Sequence, residues 1–66
     1  MLYTATCKCD IPTTIFISRG YSVRFMTNGS NSWQWTDVKE ALSKDLGVDI
    51  PYSVLHTGNW EITRIS

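Results

Sequence analysis

The chain has 66 residues, of which 42% are hydrophobic and 12% aromatic, and six Lys/Arg balance six Asp/Glu to a formal net charge of zero. This length allows one domain over residues 1–66, and the apolar content excludes wholesale disorder. Proteins that bind nucleic acid usually carry excess positive charge, so the neutral balance argues against that class. No apolar run approaches the roughly 18–20 residues of a membrane span, and the start lacks a signal-peptide pattern, so we expect a cytoplasmic protein.

The first predicted element is a strand over residues 2–8. Tyr3, Ala5 and Cys7 alternate with more polar residues there, which is typical of a strand with one buried face. The segment 10–12 ends this strand because it contains a proline, which cannot donate to a ladder.

A hairpin is predicted next. Residues 13–18 are rich in β-branched and aromatic side chains and indicate a second strand, and residues 21–27 alternate and indicate a third. Arg19-Gly20 lies between them as a two-residue turn, in which glycine can supply a positive φ. We therefore expect these two strands to pair with each other.

A helix over residues 36–46 follows a polar loop at 28–32. Its apolar residues recur at helical spacing, and Gly47 is placed to end it in a left-handed conformation. Thr36 or Asp37 can cap its start, and Asp37 with Glu40 has the form of a capping box.

The segment 48–58 leaves two alternatives open, a short second helix over 52–57 or a loop with one helical turn. Residues 59–65 then predict a last strand with Trp60 and Ile62 on one face. The expected fold is α+β, with a small antiparallel sheet of three to four strands in the order β-β-β-α-β. One main helix packs on one face of this sheet.

Metal and catalytic chemistry are weakly indicated. Cys7 and Cys9 are separated by one residue, whereas structural zinc sites use wider spacings, and His56 is the one histidine. We expect both thiols to face the core, with no bound metal and no cofactor. No motif joins His56 to a nucleophile, so we expect no enzymatic activity.

Residues 38–48 end in Leu46-Gly47-Val48, and a helix that ends in this way before a short second helix resembles a helix-turn-helix. In that family the glycine makes the turn, a small residue lies four positions before it, and the second helix enters the major groove. Ser43 occupies the small position. However, residues 50–57 contain no Arg, Lys, Asn or Gln, the side chains that commonly read bases. A small winged-helix DNA-binding regulator is therefore the alternative function.

The favoured function is a small non-catalytic binding or regulatory protein that contacts another protein, with a homodimer through a sheet edge as a further expectation. Its size and architecture are similar to those of short accessory proteins of bacteria and phages, including inhibitors of host enzymes. Trp33 is the predicted anchor, because tryptophan is enriched at interface hot spots and Trp33 lies outside the helical apolar stripe. The other predicted partner-binding residues are Tyr21, Arg24 and Tyr52.

Overall fold

A computed structural model describes residues 1–12, 16–27 and 32–65 of the chain. It confirms the α+β class, with a three-stranded antiparallel sheet, a second sheet of two short strands and one main helix. Within these residues no helix is both long and apolar enough to cross a membrane. The elements in chain order are β1 (Leu2–Cys7), β2 (Ile11–Pro12), β3 (Phe16–Ile17), β4 (Ser22–Met26), α1 (Trp35–Leu46), a 3₁₀ turn (Tyr52–Val54) and β5 (Trp60–Arg64).

The central strand of the main sheet is β1, which pairs antiparallel with β4 on one side and β5 on the other. Tyr3, Ala5 and Cys7 are all buried, while the residues between them are partly exposed. The predicted alternation is therefore confirmed, and it turns one face of β1 toward the core.

The pairing predicted for the hairpin is wrong. The turn itself forms, since the Tyr21 amide donates to the Ser18 carbonyl at 3.1 Å and Gly20 has a φ of 94°. However, β4 pairs with β1 and not with β3. The six residues of β1 provide a longer alternating face for β4 than the two-residue β3 does.

The strand predicted over 13–18 appears in the described residues as β3, and residues 13–15 lie outside them. Its partner is β2, with Ile11 opposite Ile17, and both isoleucines are buried. The segment 10–12 therefore ends β1 as predicted but contributes a short strand of its own. Proline is compatible with so short an edge strand.

Helix α1 begins at Trp35, one residue before the predicted start, and its N-cap is Gln34. The prediction that Thr36 or Asp37 caps the helix is wrong. Asp37 instead lies three residues after the cap, where its carboxylate accepts a hydrogen bond from the Gln34 amide at 2.9 Å. Gly47 ends the helix as predicted, with a φ of 73° and its amide donating to the Ser43 carbonyl.

The core lies between the sheet and α1, which buries Val38 and Leu42 against the sheet. The segment after the helix forms a loop with one 3₁₀ turn, which is the second of the two predicted alternatives. The Trp60 indole donates to the Val54 carbonyl at 3.0 Å, so the buried tryptophan holds this loop against β5. The last predicted strand is confirmed as β5.

Candidate protein-binding surfaces

The face of the main sheet opposite α1 is largely exposed, and we call it the open face. Directly paired residues of an antiparallel sheet lie on the same side, so the registers fix which side chains the open face carries. The open face has three exposed residues from β4 and three exposed residues from β5 or next to it. Between them lie three partly exposed residues of β1. From one end to the other its rows are Met26–Leu2–Ile65, Arg24–Thr4–Thr63 and Ser22–Thr6–Glu61.

The end row of the open face is apolar. Leu2 lies opposite Met26 in the ladder, and on the other side the Ile65 amide donates to the Leu2 carbonyl at 2.8 Å. Met26 is 70% exposed and Ile65 47% exposed. These neighbouring exposed apolar side chains make the end row a candidate contact surface, in which the flexible methionine could adapt to a partner's shape.

The charge on the open face is small. Arg24 projects from the middle row and Glu61 from the far row, so their formal charges cancel. The single guanidinium next to the apolar row gives this face a directional donor for a carboxylate.

A second surface is the outer edge of β4, the end strand of the sheet order β4-β1-β5. The Cys7 amide donates to the Tyr21 carbonyl at 2.7 Å and the Thr27 amide donates to the Met1 carbonyl at 3.1 Å, so both Tyr21 and Thr27 bond inward to β1. Backbone groups alternate in direction along an antiparallel strand. The amides and carbonyls of Ser22, Arg24 and Met26 therefore point away from the sheet.

Beside this edge is a groove of about 560 Å³ between β4 and α1, which we call the edge groove. Its wall on the helix contains three carboxylates and one ammonium group. The lining residues are Val23, Arg24, Phe25, Met26, Asp37, Glu40, Ala41, Lys44 and Asp45.

One end of the edge groove is tied together by Tyr21. Its hydroxyl donates to the Asp45 carboxylate, which connects the residue before β4 to the last turn of α1. Partial burial, together with this hydrogen bond to a carboxylate, raises the pKa of Tyr21. Because residues 23–26 of β4 and α1 as far back as Asp37 line the same groove, this contact between the start of β4 and the end of α1 indicates that the two elements run in opposite directions.

Of the predicted partner-binding residues, Arg24 is on the open face and lines the edge groove, and Tyr21 is at the end of that groove. Trp33 and Tyr52 line neither surface. Trp33 is partly buried against the core and packs edge-on to Trp35, with ring centroids 4.8 Å apart. Tyr52 is exposed, with the Lys39 ammonium 5.4 Å from its ring centroid. The structure therefore brings Arg24 and Tyr21 together at the edge groove and places Trp33 and Tyr52 elsewhere.

The two cysteines have different environments. Cys7 is 2% exposed, and burial raises the pKa of its thiol, which donates to the Cys9 carbonyl at 2.7 Å. The prediction that both thiols face the core holds for Cys7, whereas β1 ends there and Cys9 is only partly buried. The Cys9 thiol is 3.3 Å from the Asn59 side-chain oxygen. Among the described residues, no group of three His, Cys, Asp or Glu could hold a metal ion.

The resemblance to a helix-turn-helix stops at the turn after α1. Where a recognition helix would follow, the chain forms one 3₁₀ turn of three residues, Tyr52–Val54, and then a loop to β5. A single 3₁₀ turn is too short to lie along a major groove. His56, in the same loop, is exposed, and its Nδ1 accepts a hydrogen bond from the Gly58 amide at 3.2 Å.

Met26 and the outward edge of β4 are the features that sequence reasoning missed. The alternation over 21–27 does assign Met26 to the face opposite Phe25, so a signal existed. Its exposure depends on α1 covering only one face of the sheet. Comparison of the chain with protein-family models, with curated proteins and with solved structures finds no significant match in any of the three.

Proposed function

We propose that this chain is a small non-catalytic binding protein that regulates another protein by direct contact, and that the open face makes this contact. The observation that carries the proposal is the apolar row, in which Met26 and Ile65 are exposed on either side of Leu2. Apolar side chains that stay exposed add no hydrophobic stabilisation to the monomer. Burying them against a partner would stabilise the complex.

The chemistry of the open face favours a folded protein over other partners. A membrane or nucleic acid is attracted by clustered positive charge, and Arg24 is balanced here by Glu61. A small molecule prefers a concave site, and three adjacent strands form a broad, shallow surface. The partner that fits presents apolar side chains toward the end row and a carboxylate toward Arg24.

The placement of the other aromatic residues agrees with this choice of surface. Trp33 packs on Trp35 at the periphery of the core and is only partly exposed, so less of its ring is available as an anchor. The two free thiols of Cys7 and Cys9 are compatible with a reducing compartment, and we propose that the protein acts in the cytoplasm.

Site-specific photo-crosslinking tests the proposal in the cells that produce the protein. A benzophenone amino acid replaces Thr63, on the open face, in one sample and Tyr52, on a different surface, in the control. We expect Thr63 to yield one dominant crosslink to another protein, and Tyr52 to yield much less of it. Loss of the Thr63 crosslink on Met26→Asp supports the open face further. No crosslink at Thr63, or equal capture at both positions, would overturn the proposal.

A further inference from the structure

The outer edge of β4 is built for pairing with another strand. Ser22, Arg24 and Met26 direct their amides and carbonyls outward, and among the described residues no backbone group pairs with them. Folded proteins usually protect such an edge with proline, a bulge or several charges. Strand β4 has no proline and one charged side chain, Arg24.

The opposite edge of the sheet is better protected. The Trp60 amide donates to the His56 carbonyl at 3.1 Å, so the first residue of β5 is engaged by the preceding loop. The sequence of β5 also contains Glu61 and Arg64, whereas β4 exposes serine and methionine beside its single arginine. The β4 edge is therefore the stronger candidate for strand addition.

We propose that two copies of this chain form a symmetric dimer through the edge groove, with β4 paired antiparallel to β4 of the second copy and α1 beside α1 of the second copy. Strand β4 and α1 run alongside each other in opposite directions, as the Tyr21–Asp45 contact and the lining of the edge groove together indicate, so one two-fold axis can relate both pairs of elements. The resulting sheet would have six strands and no free β4 edge.

The position of the axis follows from charge. If the axis passed through Arg24, two guanidinium groups would face each other, which is unfavourable. An axis one residue earlier, at Val23, places each Arg24 opposite Ser22 of the second copy. Both of these residues direct their backbone groups outward, so this register forms hydrogen-bonded pairs.

The helix wall agrees with the same axis. Tyr21 lies beside Asp45, and from Tyr21 to Val23 the strand advances about 6.6 Å. A helix rises about 1.5 Å per residue, so the part of α1 beside Val23 is about four residues before Asp45, at Glu40 and Ala41. An axis between these two residues brings Asp37 of one copy next to Lys44 of the other, twice. The small side chain of Ala41 at the centre lets the two helices approach closely.

The net charge also favours a second copy. A chain with six positive and six negative residues experiences little long-range repulsion from its own copy. Within the helix wall, Asp37 and Lys44 are complementary and exchange partners under the two-fold axis, while Glu40 of each copy lies beside the axis.

Sedimentation equilibrium across a concentration series tests the dimer. We expect the wild-type chain to sediment as a dimer at micromolar concentration. Lys44→Glu places a glutamate next to Asp37 of the second copy at two sites and should raise the dimer dissociation constant at least about 10-fold. Lys8→Glu makes the same change in charge away from the edge groove, and should leave the constant within about 2-fold.

Arg24→Pro removes an outward amide without touching an inward one, and should raise the dissociation constant at least about 100-fold with the circular dichroism spectrum retained. A wild-type chain that stays monomeric at about 100 µM, a concentration well above a micromolar dissociation constant, would overturn the proposal. A dimer insensitive to both variants would overturn it as well. Photo-crosslinking at Thr63 should be repeated in Lys44→Glu, in which the open face is unchanged. A crosslink that persists in this variant would show that partner binding and dimer formation are separate.

Discussion

The two faces of β1 differ although they share one backbone. On the covered face, Ala5 and Cys7 are buried together with Val38 and Leu42 of α1. On the open face, Thr4 and Thr6 are partly exposed and have polar or charged cross-strand neighbours. The covered face supplies the hydrophobic stabilisation of a very small domain. Residues of the open face contribute little to it, so they can suit a partner protein without loss of stability.

On the covered face, the largest effect of a substitution is expected at Leu42, which is fully buried between α1 and the sheet. Leu42→Ala removes buried methyl and methylene groups and leaves a cavity, so it should lower the free energy of unfolding by about 2–5 kcal/mol. Denaturant unfolding followed by tryptophan fluorescence measures this change. A loss well under 1 kcal/mol would show that α1 does not hold the covered face.

A substitution at Trp33 tests whether this residue belongs to the core or to a binding surface. Because its ring packs on Trp35 and the periphery of the core, Trp33→Ala should lower the free energy of unfolding by about 2 kcal/mol. Thermal melting and partner binding should be measured on the same sample. Unchanged melting with weakened binding would return Trp33 to the role of interface anchor that the sequence predicts.

The contact between Tyr21 and Asp45, which joins the sheet edge to α1, can be tested by the pH dependence of stability. Since the folded state raises the pKa of Tyr21, the folded chain keeps this proton at pH values where the unfolded tyrosine, with a pKa of about 10, has lost it. Stability should therefore fall as the pH rises above about 10. Tyr21→Phe should show a smaller fall, because it removes this proton and leaves the rest of the chain unchanged. Equal pH dependence in the two proteins would contradict the Tyr21–Asp45 contact.

Much of the fold follows from periodicity in the sequence, and the errors have a physical origin. The alternation in β1, the stripe of α1 and Gly47 each depend on residues close in the chain, so they could be predicted. The partner of β4 could not, because a turn at Arg19-Gly20 favours a hairpin locally while β1 offers the longer matching face. The N-cap was misplaced because Asp37 serves a capping box equally well from the third position.

The candidate surfaces were predicted less completely than the fold. Arg24 could be assigned to the face opposite Phe25 by alternation alone, but whether that face is covered depends on how many elements pack on the sheet. Tryptophan composition favoured Trp33 as an anchor, and its contact with Trp35 depends on the chain path at the helix N-terminus. Neither fact is encoded in local spacing.

Met26→Asp tests most directly whether the open face binds a partner protein without contributing to the stability of the fold. The affinity for the protein crosslinked at Thr63 and the denaturation midpoint should be measured on one sample. We expect the dissociation constant to rise at least about 30-fold, because a carboxylate replaces an apolar contact at the interface. The free energy of unfolding should change by less than about 0.5 kcal/mol, because Met26 is 70% exposed. Unchanged affinity with an unchanged midpoint would show that the open face is not the binding surface.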